Sequence, residues 1–481
     1  MSTTHPTRTE PPEDPELDAP GGAPAAEDAP RTPRPRRSGL LAVLGFLVLA
    51  LGLVGLHVRE YRLVSPIDEM QHIDYALKIR EGELVRQGDR VDEEAMREVA
   101  CRGVDAAVVV PSCEARSYRP PQFPEQGFNT AYAHPPGYYF VSGIGGFVFQ
   151  VLPGVGPVTG VRLMGAAWLG GGLVALWYAL GELRIRPRAR VPVLLLVASA
   201  PTVLHASATV NPDATSITIG AVTLLVVLRW EAGRASPWLL AAVAAAAMFT
   251  KATNLMGVAA AALYILFRWV QARRGEVEAA GPVEPRSAAA GTSPRLATRP
   301  VVAVLVMAAV AGAVTAGTWA VATAAMARMD QSEIPMAQRF HVDSLTLDQV
   351  VDSVPTALSP LRDPYLPAVI DGPFLRVADS LVDKLLVAGL VAALLMSVAG
   401  SRQRALAGAT LVCLLALGPF FVVFDFYATH GYFVVPPRYG LVLVPFMGAA
   451  VAAACERTRL GLAVLWGVAG LSLTTMVAAL A

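Results

Sequence analysis

The sequence predicts an all-α polytopic membrane protein with about eleven transmembrane helices and a large first extracytoplasmic loop that contains juxtamembrane helices. Three observations carry this expectation. Hydrophobic residues make up 54% of the 481 positions and charged residues only 16%, against about 25% charged in a soluble domain. Mean hydropathy is +0.49. The apolar residues also fall in blocks close to the ~20 residues that a helix needs to cross a bilayer. A formal net charge of +1 gives no electrostatic support to a nucleic-acid partner. Arginine far outnumbers lysine, which occurs only at Lys78, Lys251 and Lys384. With the abundant Ala, Gly and Pro, that bias points to a GC-rich bacterial genome and to the bacterial plasma membrane.

Residues 1–38 are rich in Pro, Glu, Thr and Arg and nearly free of large apolar side chains. Such a segment cannot offset its ordering entropy and is expected to be a disordered cytoplasmic tail. Its basic end, Arg31 to Arg37, adjoins the apolar block 39–57, which no small-residue cleavage site follows. That block reads as an uncleaved first span with the N-terminus inside. The remaining transmembrane domain runs to residue 481, with spans at 158–180, 191–209, 212–230, 237–250, 252–269, 300–325, 381–399, 404–424, 437–455 and 459–480.

The block 137–155 is also long enough to span, and counting it would invert every loop after it. Leaving it out keeps Arg184, Arg186, Arg188, Arg190, Arg229, Arg234, Arg402, Arg404, Arg457 and Arg459 on the inside, as the positive-inside rule requires. It is therefore read as an interfacial or re-entrant helix. Extracytoplasmic loops then cover 58–157 and 326–380, and a Pro- and Ala-rich cytoplasmic linker covers 271–299. This orientation gathers Asp68, Glu69, His72, His134, Asn211, Asp213, Lys251, Asn254, His341, Asp425, His430 and Arg438 on the outer side. The inner loops are short and basic, with no marked chemistry. Cys101 and Cys113 share the first outer loop, where disulfides persist, and are expected to pair. Cys413 and Cys455 lie in or beside spans and read as small apolar side chains.

Five motifs on the outer side carry candidate chemistry. In SPIDEMQHIDY, Pro66 suits a helix start, Asp68 and Glu69 its first turn, and His72 lies four residues after Asp68 on the same face. An acidic surface-helix start would account for the carboxylates structurally; a general base or metal ligand would account for them functionally. In AYAHPPGYYF an aromatic belt explains the tyrosines but not His134. Asn211-Pro212-Asp213 is good turn and N-cap chemistry in its own right. Lys251 follows the block 237–250, which rises only ~21 Å at 1.5 Å per residue, so it is expected below the outer surface, facing a polar cavity. Arg438 and Tyr439 stand at the mouth of a late span, where an outer arginine opposes the charge bias and its planar fork matches phosphate oxygens. The histidines show no metal-ligand spacing such as His-Glu-x-x-His, and a divalent cation is left open.

The order of these motifs resembles the GT-C superfamily of polyprenyl-phosphate-sugar-dependent membrane glycosyltransferases, and within it a bacterial membrane-protein family of unknown function. The pieces are Pro66-Ile67-Asp68-Glu69 with His72, His134-Pro135-Pro136 with Tyr138 and Tyr139, Arg162, Asn211-Pro212-Asp213, and Pro437-Arg438-Tyr439. The resemblance covers most of 39–450. It implies a catalytic base at Asp68 with Glu69 beside it, donor-phosphate binding by Lys251 and Arg438, and substrate contacts from His72, His134, Tyr138, Asp213 and Tyr439. It further implies a polyprenyl-phosphate-linked sugar as donor and an envelope glycan, lipid or protein as acceptor. The late motif departs from the expected Gly-Arg-Tyr. A transporter or flippase for a lipid-linked precursor is the competing class, but the internal repeats usual there are absent from the sequence. A non-catalytic membrane protein is the third.

Overall fold

In the computed structural model, residues 37–105, 108–276, 294–362 and 373–481 are described. The expected tail at 1–36 and most of the linker, 277–293, lie outside them. The chain divides into two units, 1–41 and 42–481. Only the opening of helix α1 (Arg37–Glu60) is described in the first, and all that follows concerns the second.

Among the described residues the regular structure is helical, with only isolated β-bridges. Eight helices are long and apolar enough to cross a bilayer, and nine if one bent pair counts as a span. The expected eleven are not reached by length and apolarity alone. Helix α10 (Pro237–Thr250) has 14 residues, and α16 (Pro373–Met396) carries Arg376, Asp379, Asp383 and Lys384 among its apolar residues.

After α1 come α2 (Glu69–Arg80), α3 (Glu93–Arg102), α4 (Gly137–Phe149), α5 (Pro157–Leu163) and α6 (Gly165–Glu182). The block 137–155 ends its helix at Phe149; 13 residues rise only ~20 Å. Phe140, Val141, Ile144, Phe147 and Val148 on it are exposed, while its other face packs on α2. An apolar face on a helix too short to cross suits the bilayer interface.

The block 191–209 proves to be two helices, α7 (Pro187–Ser199) and α8 (Pro201–Ala208), bent by 59°. Pro201 supplies no N–H and pushes Ala200 to an extended ψ of 126°, which breaks the ladder there. Helix α9 (Ser216–Glu231) follows a 3-10 turn at Pro212–Thr215, and α11 (Leu255–Arg273) follows another at Ala252–Asn254. Then come α12 (Thr298–Met326), the short α13 (Pro335–Phe340), α14 (Leu347–Asp352) and α15 (Val354–Leu358), and finally α16, α17 (Arg402–Thr429), α18 (Val444–Cys455) and α19 (Arg459–Leu480).

Two apolar cores result. The larger fills the bundle, with α6 on α9, α10 on α12, α16 on α18 and α7 on α19. The smaller gathers α2, α3 and α4 of the 58–157 region and reaches Val210 and Ala214 beside the Asn-Pro-Asp turn. Helix α2 is polar yet buried from Glu69 to Ile79, because its charged groups are partnered. Asp74 receives Lys78 Nζ at 2.8 Å, Asn129 Nδ2 at 2.6 Å and the Asp92 N–H at 2.8 Å. A disulfide joins Cys101 to Cys113 in this region, and Cys413 and Cys455 are free and buried. The polar motifs meet where the two cores join.

Candidate functional site

Glu69, the first residue of α2, is 1% exposed and both its oxygens are taken. Arg162 donates from Nε to Oε1 at 2.8 Å and from Nη2 to Oε2 at 2.7 Å; the Val210 and Ser65 N–H groups add 2.8 and 2.7 Å bonds. Arg162 is itself fully buried and also donates to the Tyr61 and Leu63 carbonyls. This two-pronged pair ties the first loop to α5 and to the Asn-Pro-Asp turn. A carboxylate so occupied has no lone pair directed at a reactant, which counts against the expected catalytic role of Glu69.

Asp68, one residue earlier, differs in every respect. Helix α2 starts at Glu69, and Asp68 is its N-cap residue with φ of +56° and no side-chain cap bond. The helix therefore starts three residues after the expected Pro66. The left-handed backbone, uncommon outside glycine but tolerated by Asp, turns its side chain away from the helix. Asp68 stays solvent-accessible, with enough protein around it to desolvate its carboxyl in part. Burial raises its carboxyl above the usual range, Arg438 pulls it down, Glu125 pushes it up, and Lys251 and Arg339 pull it down again.

Two of those cations, Lys251 and Arg438, are held by Asp213. Its Oδ1 pairs with Lys251 Nζ, and its Oδ2 lies 3.3 Å from Arg438 Nε. Lys251 is 3% exposed and its Nζ lies 4.6 Å over the Tyr439 ring, as expected for a lysine facing a polar interior. Local structure sets each partner. Asn211 caps the Asp213 N–H at 2.9 Å, and Asn254 bridges Thr215 and Ser216 at 2.8 and 2.9 Å, so the starts of α9 and α11 are locked side by side. A Cβ on Gly220 would meet the Val442 carbonyl at 2.1 Å; only glycine lets the turn Pro437–Leu443, and with it Arg438, approach α9 this closely.

The aromatic residues sort themselves. Tyr138 is 1% exposed and its hydroxyl accepts the Asn211 N–H at 3.0 Å, so it braces the turn instead of facing a substrate. His72, 4% exposed, bonds through Nδ1 to Tyr139 Oη at 2.7 Å, and burial holds it well below the usual histidine range. His134 is half-buried, 5.3 Å from His72 between ring centres. Burial pushes it down to about 4, with Lys251 pressing the same way. Both rings are neutral at pH 7. His341 pairs through its backbone with Gly431, and its ring lies 6.1 Å from that of His430, which joins the 326–380 region to the end of α17.

The motif that contains Arg162 does not reveal its partner Glu69, although a lone arginine in an apolar block signals a buried carboxylate. Also unforeseen is a buried chain in which His57 Nε2 meets His205 Nδ1 at 3.3 Å and His205 Nε2 meets Ser65 Oγ at 3.3 Å. Among the described residues no group of three or more His, Cys, Asp or Glu could hold a metal ion.

Fold and site together define a multi-pass helical membrane protein with a carboxylate–cation cluster at one end of its bundle. Residues 133–277 match the family described as dolichyl-phosphate-mannose-protein mannosyltransferase, and this stretch holds His134, Arg162, Asp213 and Lys251. The GT-C resemblance carried by the motifs is thereby supported at the level of the superfamily. Two solved structures are similar: ArnT from Cupriavidus metallidurans bound to undecaprenyl phosphate, at 16% identity and TM-score 0.48, covering 87% of this chain and 60% of that one, and its apo state, at 16% identity and TM-score 0.48, covering 88% and 61%. The chain thus spans about 60% of their length. No curated protein matches the sequence.

Proposed function

We propose that this protein is a GT-C-type membrane glycosyltransferase that takes a sugar from a polyprenyl-phosphate donor and passes it to an envelope acceptor on the extracytoplasmic face. The observation that carries the reading is the contrast between Glu69, saturated by Arg162, and Asp68, solvent-accessible and within electrostatic reach of Lys251 and Arg438. The family described by a lipid-phosphate sugar donor matches the stretch that supplies Lys251.

The acceptor hydroxyl oxygen attacks the anomeric carbon while Asp68 takes its proton. The bond from that carbon to the phosphate oxygen breaks, and the polyprenyl phosphate leaves with the electron pair. Lys251 and Arg438 stabilise the charge gathering on that oxygen. Asp213 holds the two cations in place, Tyr439 packs under Lys251, and neutral His134 lines the approach. Glu69 and Tyr138 keep the frame rigid.

The test is incubation of the purified protein with a panel of radiolabelled polyprenyl-phosphate sugars, scoring transfer or hydrolysis. Turnover that Asp68→Asn removes supports the reading; full turnover in that variant would overturn the base assignment. The face is tested with single cysteines and an impermeant maleimide on intact cells. Glu83→Cys and Leu347→Cys should label from outside, and Arg188→Cys and Gly233→Cys should not. The reverse pattern would invert the topology.

A further inference from the structure

The opposite end of the bundle carries a second built site. A cavity of about 330 Å³ opens there, at the lower end of the size range for small-molecule pockets. Four of its lining residues are arginines: Arg184, Arg268, Arg402 and Arg457. Glu182 is the carboxylate among the described lining residues, and it already serves Arg229 at 3.1 Å and Arg234. Buried Glu231, behind the wall, is shared by Arg268 at 2.8 Å and Arg402 at 3.0 Å. Arg457 donates to neutral acceptors, the Met396 carbonyl, Ser397 Oγ at 3.0 Å and Gln403 Oε1 at 2.9 Å. The N-terminus of α17, a helix of 28 residues, adds its partial positive charge at Ser401 and Arg402.

The positive-inside rule explains arginines spread through loops. It does not explain four that converge on one cavity, with Arg268 only 3% exposed. Gathering like charges in a part-buried pocket is unfavourable unless an anion enters, and guanidinium forks match phosphate oxygens best. We propose that this cavity binds a phosphate group, as a phospholipid headgroup or as a soluble phosphate, at a site separate from the Asp68 cluster. The span Pro212–Glu231, 20 residues long, separates the two by ~30 Å.

The experiment uses the full-length protein in mild detergent and native mass spectrometry, with two probes, short-chain phosphatidylglycerol and inorganic pyrophosphate. Diacylglycerol is the uncharged control. The sharpest variant is Gln403→Glu, which keeps the contact with Arg457 but supplies the missing carboxylate from within. It should fold normally and weaken probe binding at least tenfold. Arg402→Gln combined with Arg457→Gln should do the same, whereas Arg97→Gln, at an exposed arginine of the first loop, should leave binding unchanged. Lipid binding that pyrophosphate does not displace identifies a headgroup site; displacement at similar concentration identifies a soluble anion. The proposal fails if neither probe binds the wild type, if Gln403→Glu binds within twofold of it, or if Arg97→Gln abolishes the signal.

Discussion

The two ends of the span Pro212–Glu231 repeat one arrangement with opposite consequences. At one end Asp213 lies between Lys251 and Arg438; at the other Glu231 lies between Arg268 and Arg402. Each is a buried carboxylate shared by two cations, which satisfies the acid and leaves one positive charge over. The surroundings then decide what that charge does. Beside Asp213 a second carboxylate, Asp68, is solvent-accessible and feels the same two cations. Beside Glu231 further arginines accumulate instead. A buried ion triad by itself marks neither catalysis nor binding; the next charge outward decides what the surplus positive charge meets.

The largest expected effect is on chemistry. Asp68→Asn removes the base and keeps the shape, so transfer should fall by about 10²–10⁴-fold, the usual loss for one general base, with donor-lipid binding near normal. Glu231→Gln at the other end should leave the rate per folded molecule alone. Equal losses at both ends, read in the same transfer assay, would erase the distinction.

The next effect is on stability. Glu231→Gln strips buried Arg268 and half-buried Arg402 of their carboxylate and should cost about 3–5 kcal/mol, the range for breaking a buried pair, measured as thermal unfolding in detergent. Asp213→Asn should cost less, because Asp68 stands by the same cations. If Asp213→Asn proves the more damaging, Asp68 is not close enough to share their charge. Glu69→Gln belongs with the costly class, since it leaves Arg162 buried against a neutral amide. A profile in which Glu69→Gln abolishes transfer in a fully stable protein would return the base to that residue.

A smaller effect tests the first loop that holds Asp68. Removing the Cys101–Cys113 bridge should cost about 2–3 kcal/mol in the chain-entropy model, seen as a lower unfolding temperature on adding reductant, with Cys413 and Cys455 unaffected. Full alkylation of all four thiols without reductant would show that the bridge does not form in the native envelope.

The smallest effect is on pH dependence. Burial raises the Asp68 carboxyl while Arg438 draws it down, so the acidic limb of the transfer rate should lie above that of an ordinary aspartate. Arg438→Gln should move it further up, and a limb that stays in place would place Arg438 out of range. Stability has the opposite sign for the histidine. His134 is held at about 4 when folded against about 6.5 unfolded, so its contribution is whole above the unfolded value. It is lost as pH falls from about 6.5 toward 4, where the unfolded chain binds the extra proton. For Asp68 the raised folded value means a contribution that is present at low pH and lost as pH rises through that value.

The sequence by itself determined the membrane class, the positions of most spans and the short rise that leaves Lys251 inside. It also picked out the order of polar motifs at one end, because hydropathy, helix rise and turn chemistry are local properties that a run of residues carries with it. It did not show that Glu69 is spent on Arg162, nor that Tyr138 and His72 are spent on bracing, nor that the dull inner arginines share a cavity. Those outcomes depend on partners far away in the chain. Glu69 and Arg162 are 93 positions apart, and Arg268 meets the Gly400 carbonyl across 132. Only the packing of helices against one another brings such groups within hydrogen-bond distance. Once there, the cost of an unpaired charge in a dry interior fixes which acid is held and which is left open.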